Sequence, residues 1–358
     1  MKGGVRGLAA VASCLAMLAA GGQAQELTAR FGSGDAASRM LVRSTTDLAA
    51  IGPVIERFVQ ARPDLLVIYE QWGSNDLYEL AEAACAGRAP AADLVISSAV
   101  HQMVRLVNDG CAAAHSSART QALPPALRWR NELWGITREP VVMVYNRELV
   151  PADEVPRSRF DLLDLLRPPD SRYRGRVATY DIEASGLGYL LAFADSQEAT
   201  TFGGLMESFG SSGAVATCCS AEIIDAVAAG RYLVAYNVLG SYALARGATD
   251  RRLGVVAPQD YTLILSRAAM IPKAAPSPGP GAELVDFLLS PDGRRELEKA
   301  LLLVRFDLEG GLMDLPETVE AIQRPIALSP ALLIALDRHK RLIFGRRWRA
   351  AFPAGPGP

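Results

Sequence analysis

Residues 231–245 run Arg-Tyr-Leu-Val-Ala-Tyr-Asn-Val-Leu-Gly-Ser-Tyr-Ala-Leu-Ala, and the reading of this stretch decides the architecture. The pattern predicts a short buried strand over 233–236, a polar turn over 237–241 and a helix behind it. Such a strand-to-helix turn gathers the phenols of Tyr236 and Tyr242, the amide of Asn237 and the hydroxyl of Ser241 near one spot. A helix N-terminus there adds partial positive charge and N–H groups without intrahelical partners, which suits an anion. Taken alone, the same turn serves equally well as buried support for packing.

Three further hydroxyl-rich strand ends shift that balance. Residues 41–43 begin a strand that closes on Ser44, Thr45, Thr46 and Asp47, and residues 48–61 then repeat apolar positions at helical spacing. A second strand is predicted at 66–69, followed by a polar step at 72–76 and a helix at 77–86. A third, at 93–96, closes on Ser97 and Ser98. Pro140 separates two more predicted strands, 134–139 and 141–145, and a Pro- and Leu-rich connection at 151–169 holds a short helix at 160–166. A second set of units starts at 175–178 and includes Ser185 and Gly186 ahead of a helix from Leu187. Strands are also predicted at 253–257 and 261–266, and helices at 283–289 and through a basic tail at 330–352. Strand and helix alternation with apolar strands predicts a parallel α/β sheet covered on both faces.

In an open α/β sheet, ligands sit beyond the carboxyl ends of the strands. Each short hydroxyl residue there is, by itself, an ordinary helix cap. Two such turns in each half of the chain fit a ligand held between halves. The candidate ligand-binding residues are therefore Ser44, Thr45, Thr46, Ser97, Ser98, Arg138, Ser185, Gly186, Tyr236, Asn237, Ser241 and Tyr242. Arg43 and Arg138 offer positive charge near the same edges, or serve as surface ion pairs. Trp72 and Tyr78 offer stacking surfaces, or pack in the core.

The ends and the composition bound the remaining choices. Lys2 and Arg6 precede an apolar run at 8–20 that is too short to span a bilayer, and Gly22-Gln23-Ala24 supplies a small-x-small site, so cleavage is expected after Ala24. Val11-Ala12-Ser13-Cys14 also resembles a lipoprotein box, but one preceded by only a stub of apolar sequence. The exported chain of 334 residues carries 35 Lys and Arg against 39 Asp and Glu, a formal charge of −4 that gives no reason to expect nucleic acid. That length predicts two lobes. Cys85, Cys111, Cys218 and Cys219 remain, with Cys85–Cys111 the natural pairing if bridges form and four idle thiols the alternative. No zinc-type spacing, Gly-x-Ser-x-Gly elbow, His-Glu-x-x-His motif or phosphate loop is present, so neither a cofactor nor enzymatic activity is expected.

Several of these segments together resemble the type II periplasmic substrate-binding proteins of ABC transporters, within the group that includes ferric-ion, 2-aminoethylphosphonate and phosphoglycerate binders. The segments are 41–47, Asn75-Asp76-Leu77-Tyr78, Ala92-Asp93-Leu94-Val95-Ile96-Ser97-Ser98, Val144-Tyr145-Asn146, Ser185-Gly186-Leu187-Gly188-Tyr189, 236–242 and Phe287-Leu288-Leu289-Ser290-Pro291-Asp292-Gly293. The resemblance implies a two-lobed α/β type II periplasmic binding protein fold with two crossover strands and a ligand cleft between the lobes. It implies one lobe from 39–140 plus 260–352 and a second from 141–259; the small, polar composition of 25–38 reads as a flexible lead, and 353–358 as a disordered tail. It also implies a periplasmic monomer that delivers a small-molecule ligand to an inner-membrane ABC permease, or, as in phosphoglycerate-type relatives, signals to a membrane histidine kinase. Ferric-ion binders of the group place two consecutive tyrosines where this chain has Ser241-Tyr242, and a single tyrosinate holds iron(III) poorly. Hydroxyls, amide N–H groups and an arginine suit a phosphonate, phosphate ester or carboxylate better.

Overall fold

The computed structural model describes residues 25–198, 200–305 and 321–352. The expected signal segment, Cys14 and the tail at 353–358 lie outside the described residues.

The first part of the chain forms β1 (Gln25–Phe31), β2 (Ser38–Ser44), α1 (Leu48–Gln60), β3 (Leu65–Trp72), α2 (Ser74–Cys85), β4 (Leu94–Ser97), α3 (Val100–Asn108), α4 (Ala118–Gln121), β5 (Arg128–Trp129) and β6 (Leu133–Gly135). The second forms β7 (Glu139–Asn146), α5 (Arg159–Leu166), β8 (Val177–Tyr180), α6 (Gly186–Glu198), α7 (Phe202–Ser212), β9 (Val215–Thr217), α8 (Ser220–Ala228), β10 (Val234–Leu239), α9 (Gly240–Thr249), β11 (Leu253–Val256) and β12 (Thr262–Leu265). Then follow β13 (Ala268–Met270), α10 (Pro278–Leu288), α11 (Pro291–Lys299), β14 (Gln323–Pro325) and α12 (Arg338–Ala351).

The strands make two sheets. The first has the order β1-β3-β2-β4-β13-β6-β5, and the second β14-β12-β7-β10-β8-β9 with β11 also paired to β7. In the first, β2 lies parallel to both β3 and β4. Its apolar residues pack under α1, whose Ile51, Val54, Ile55, Phe58 and Val59 recur on one face and are buried. In the second, β7 is buried along its whole length, as befits a strand paired on both sides and covered on both faces. Among the described residues, no helix is long and apolar enough to cross a membrane.

Several elements differ from the sequence expectations. Residues 25–31 are not a flexible lead: they form an antiparallel edge strand on β3. Pro140 lies inside β7, opposite Ile264 on β12, instead of separating two strands. The run quoted first also folds differently. Strand β10 continues past Tyr236 to Leu239 through an irregularity between Ala235 and Val238, with Asn237 at φ 61°, and the helix begins at Gly240. Asn tolerates this left-handed conformation better than most residues. Because β12 pairs with β7, the chain returns to the first sheet at 266–267, later than expected. The tail helix α12, expected on the first lobe, packs instead on α7 through Trp348, Ala351 and Phe352.

Both cysteine pairs are bridged. Cys85–Cys111 ties the end of α2 to the segment after α3, and Cys218–Cys219 closes a ring between β9 and α8.

Candidate functional site

The chain passes from the first sheet to the second at 136–138 and back at 266–267. A cleft of about 280 Å³ opens beside these passages, at the carboxyl ends of the strands. Thr45, Asp47, Gln71 and Ser98 reach it from the first sheet. Tyr180, Ser185, Ser220 and Tyr242 reach it from the second, and Arg267 lies between. A larger cavity of about 910 Å³ sits elsewhere, in a groove between α6, α7 and α12. Its described lining is dominated by Phe193, Phe202, Met206 and Phe344, and hydroxyls from the two sheets do not converge on it as they do on the smaller cleft. The smaller one is the candidate site.

Arg267 organises the base of the cleft. Its side chain is 1% exposed and clasps Glu139 with two prongs, Nε to Oε1 at 2.9 Å and Nη2 to Oε2 at 3.2 Å. The Glu139 carboxylate also accepts from Thr137 Oγ1 at 2.7 Å and from Ser241 Oγ at 2.5 Å. The remaining guanidinium donors turn toward the cleft wall: Nη1 donates to Thr46 Oγ1 at 3.2 Å and to the Thr45 carbonyl at 3.3 Å, and Nη2 donates to the Tyr242 hydroxyl at 3.3 Å. Burial pulls the guanidinium pKa down, but the Glu139 carboxylate more than offsets this and holds Arg267 protonated.

Tyr242 then joins the two halves. Its hydroxyl accepts the Asp47 backbone N–H at 3.3 Å. Burial raises the Tyr242 phenol pKa, with Arg267 opposing, so the group stays a neutral hydroxyl. Burial also raises the Asp47 pKa, against the lowering effects of Arg267 and Tyr242.

Asp47 at the start of α1 and the first turns of α2, α6 and α8 border the cleft. Their leading N–H groups have no carbonyl of their own helix to bond. Some are met by side chains: Leu48 N–H donates to Gln71 Oε1 at 2.8 Å, and Gly188 N–H to Ser185 Oγ at 3.0 Å. Two of these helix starts also touch across the cleft. Asn75 Nδ2 donates to the carbonyls of Glu183 at 3.0 Å and Ala184 at 3.2 Å. Gly186 N–H donates to Ser74 Oγ at 2.9 Å. A methyl at Gly186 would meet Gln102 Nε2 at 2.7 Å and Asn75 Oδ1 at 2.9 Å, so only glycine fits this approach.

Of the residues chosen from sequence, Thr45, Ser98, Ser185 and Tyr242 line the cleft, and Thr45 Oγ1 lies 3.1 Å from Ser98 Oγ. Ser44 and Ser97 stand behind them, each accepting a backbone N–H two residues on, from Thr46 at 3.0 Å and Ala99 at 3.1 Å. Thr46 and Ser241 hold Arg267 and Glu139, and Gly186 makes the contact with Ser74.

Three candidates lie elsewhere. Tyr236 bonds the Asp195 carboxylate through its hydroxyl, and Asn237 Nδ2 donates to the same carboxylate at 3.3 Å. That carboxylate pairs with buried Arg159 at 2.8 Å. The two residues thus complete a buried polar cluster, because the irregularity in β10 turns them away from the cleft. Arg138 donates to Gln323 Oε1 at 2.8 Å and does not line the cleft. Arg43 is held by Glu70 at 2.8 Å and by the Pro90 carbonyl.

Sequence reasoning did not single out Arg267, Glu139, Ser74, Tyr180, Ser220 or the Cys218–Cys219 ring as cleft residues. Only Arg267 left a local signal, as a lone cation two residues past the apolar run 263–265. Trp72, weighed as a stacking surface, lines the cleft and donates from Nε1 to Glu70 at 3.2 Å. Among the described residues, no three His, Cys, Asp or Glu side chains cluster in a way that could hold a metal ion.

This arrangement of two sheets around an interlobe cleft is that of a type II periplasmic binding protein. The chain belongs to the family of bacterial extracellular solute-binding proteins, whose model matches residues 41–300. It is a periplasmic solute-binding protein of an ABC transporter. The crystal structure of the substrate binding protein of an ABC transporter from Agrobacterium tumefaciens superposes with a TM-score of 0.83 at 30% identity, covering 91% of this chain and 98% of that one. AfuA from Actinobacillus pleuropneumoniae, with fructose-6-phosphate bound, superposes at 0.66 with 17% identity, over 89% of this chain and 99% of that one. Iron-bound HitA from Pseudomonas aeruginosa superposes at 0.61 with 18% identity, over 73% and 84%. No curated protein matches the chain.

Proposed function

We propose that the cleft captures a small organic anion, a phosphonate, phosphate ester or carboxylate, and delivers it to an inner-membrane ABC permease. The observation that carries this reading is the meeting of the first turns of α2, α6 and α8 with Ser74, Ser185, Ser220, Tyr242 and Arg267 around one cavity. Glu139 already matches the charge of Arg267, and Asp47 and Glu26 stand on the rim. The pull on an anion therefore comes from fixed donors and helix N-termini, each equivalent to about half a positive charge, with no large excess of cationic side chains. The ligand-binding set on this reading is Thr45, Ser98, Ser185 and Tyr242, with Ser44, Thr46, Ser97, Gly186 and Ser241 as their supports.

The lobes are proposed to form around the two sheets and to close by motion at 136–138 and 266–267. The contacts of Asn75 and Ser74 with 183–186 would then form on closure. The fold alone does not choose the ligand, since AfuA carries fructose-6-phosphate and HitA carries iron on the same framework. The donor chemistry supports one reading: the two tyrosines at the cleft, Tyr180 and Tyr242, are already bonded by Ser220 and by Arg267 and the Asp47 N–H, and the hydroxyls and N–H groups around them suit an oxyanion more than iron(III). Native mass spectrometry of the purified protein, with metal analysis of the same sample, tests this. An organic anion released on denaturation is the expected result; stoichiometric iron would overturn it.

A further inference from the structure

Between β9 and α8 the cleft has a wall unlike its others. The remaining strand-to-helix turns present hydroxyls or amides. This one adds to the Ser220 hydroxyl the pair Cys218 and Cys219, adjacent in sequence and joined as a disulfide. Cys219 is exposed and Cys218 half-exposed, so the ring meets solvent and anything held in the cleft. Cys219 is also the residue that starts α8, with φ 54° and ψ 128°, a backbone conformation that residues with a side chain seldom adopt. Its carbonyl accepts the Ile223 N–H, so the N–H groups of Ser220, Ala221 and Glu222 are left without an intrahelical acceptor at the cleft edge.

The surroundings of the ring are mixed. Ala184, Leu187 and Ala221 line the same side together with Tyr180, Ser185 and Ser220, while Thr45, Ser98 and Asp47 come from the first sheet and Arg267 from the passage between the sheets. A disulfide has no N–H or O–H to offer, and its sulfurs are polarisable, so it suits carbon and not charge. The cavity volume points the same way. At about 280 Å³ it far exceeds the roughly 30 Å³ share of one water in the liquid, so a bare tetrahedral anion would leave most of it unfilled.

We propose that the Cys218–Cys219 disulfide is a specificity-determining contact of the cleft: it seats the carbon body of the ligand and fixes the start of α8 against the anionic head, so that capture requires the closed ring. This rests on the organic-anion reading and narrows it to ligands that carry both a head and a carbon body. It also makes capture redox-dependent. A dithiol reductant passes two electrons and two protons to the bridge; the S–S bond breaks, Cys218 and Cys219 become thiols, and the reductant closes its own disulfide. The freed Cys219 then relaxes from its left-handed conformation, and the α8 start moves with it.

The test is calorimetric titration of the oxidised protein with glycerol 3-phosphate, 2-aminoethylphosphonate and inorganic phosphate, repeated on Cys218→Ser/Cys219→Ser and on Cys218→Ala/Cys219→Ala. Thermal melting of each variant accompanies it. A Cys85→Ser/Cys111→Ser protein, titrated before and after treatment with dithiothreitol, isolates the vicinal ring and covers the case in which the ring variants fail to fold. The expected result is that an organic probe binds the oxidised protein, loses about tenfold or more in affinity when the ring is opened by either route, and outcompetes inorganic phosphate only while the ring is closed. Equal affinity for the organic probe with the ring open and closed overturns the ring's role and leaves the anion reading standing. No binding of any of these three probes, or of succinate as a carboxylate probe, to the oxidised protein overturns both.

Discussion

Arg267 and Glu139 form a two-pronged ion pair at the base of the cleft, with neither side chain more than 1% exposed. Two ions removed from water are tolerated only when their hydrogen-bonding capacity is filled, and here Thr137, Ser241, Thr46 and Tyr242 fill it. Glu139→Ala leaves the guanidinium buried without its counter-ion. It should cost about 3 to 5 kcal/mol of folding stability, read as a fall in the urea midpoint at unchanged slope. A loss under 1 kcal/mol would mean that water reaches Arg267, and that the pair is not the sealed floor described above.

Gly186 presses its backbone against Ser74, Asn75 and Gln102 from the opposite half. An added methyl group blocks that approach without burying a polar group. In the first turn of α6, alanine is also the better helix former by up to about 1 kcal/mol. Gly186→Ala should therefore fold as well as the parent yet bind more weakly, because the closed form is penalised. Small-angle scattering with the co-purifying ligand restored should show the parent contracting and the variant contracting less. Identical contraction in both would place closure elsewhere.

The sequence shows local periods, and these were enough for the strands at 41–43 and 66–69, the helix at 48–60 and the alternation that defines an α/β chain. They were also enough to place Thr45, Ser98, Ser185 and Tyr242 at strand ends, where a cleft forms. What local pattern cannot carry is pairing at a distance. Arg267 binds Glu139 at a separation of 128 residues and Thr46 at 221, and nothing in either neighbourhood announces the partner. Tyr236 and Asn237 went astray for a related reason. Whether β10 ends or bulges at Asn237 is settled by its pairing with β7 and β8, and the bulge sends both side chains to Asp195 instead of the cleft. Residues 25–31 do alternate Leu27, Ala29 and Phe31 with polar residues, a strand period too short to stand out beside the small, polar 32–38, and the open edge of β3 supplies the backbone partners that make it a strand.

Tyr242 touches Arg267 and the Asp47 backbone through a single oxygen. Tyr242→Phe keeps the ring and its packing while removing that oxygen. The buried guanidinium loses one acceptor, and the Asp47 N–H loses its partner, which together should cost about 1 to 3 kcal/mol. The ligand-bound form should bear the larger share, since this bond links the halves that closure brings together. Affinity measured by calorimetry should fall by tenfold or more while the melting temperature shifts by only a few degrees. Unchanged affinity would remove Tyr242 from the site.

His101 supplies a pH dependence that is independent of the ligand. Its ring is buried in α3 beside Tyr189, and among the described residues its Nδ1 has no hydrogen-bond partner. Burial, with a smaller push from Arg341, lowers its pKa from the ordinary 6.5 to about 3. The unfolded chain therefore takes up a proton at His101 below pH 6.5, whereas the folded protein does not until about pH 3. Stability falls as pH drops through that window and is fully retained above it. The loss from this one group should reach about 2 kcal/mol between roughly pH 7 and pH 5. His101→Leu removes the titrating ring, so its urea-unfolding free energy should decline less than the parent's over the same interval, whatever the substitution does to stability at neutral pH. Parallel declines in the two proteins would show that His101 is already protonated in the fold, or that water reaches it.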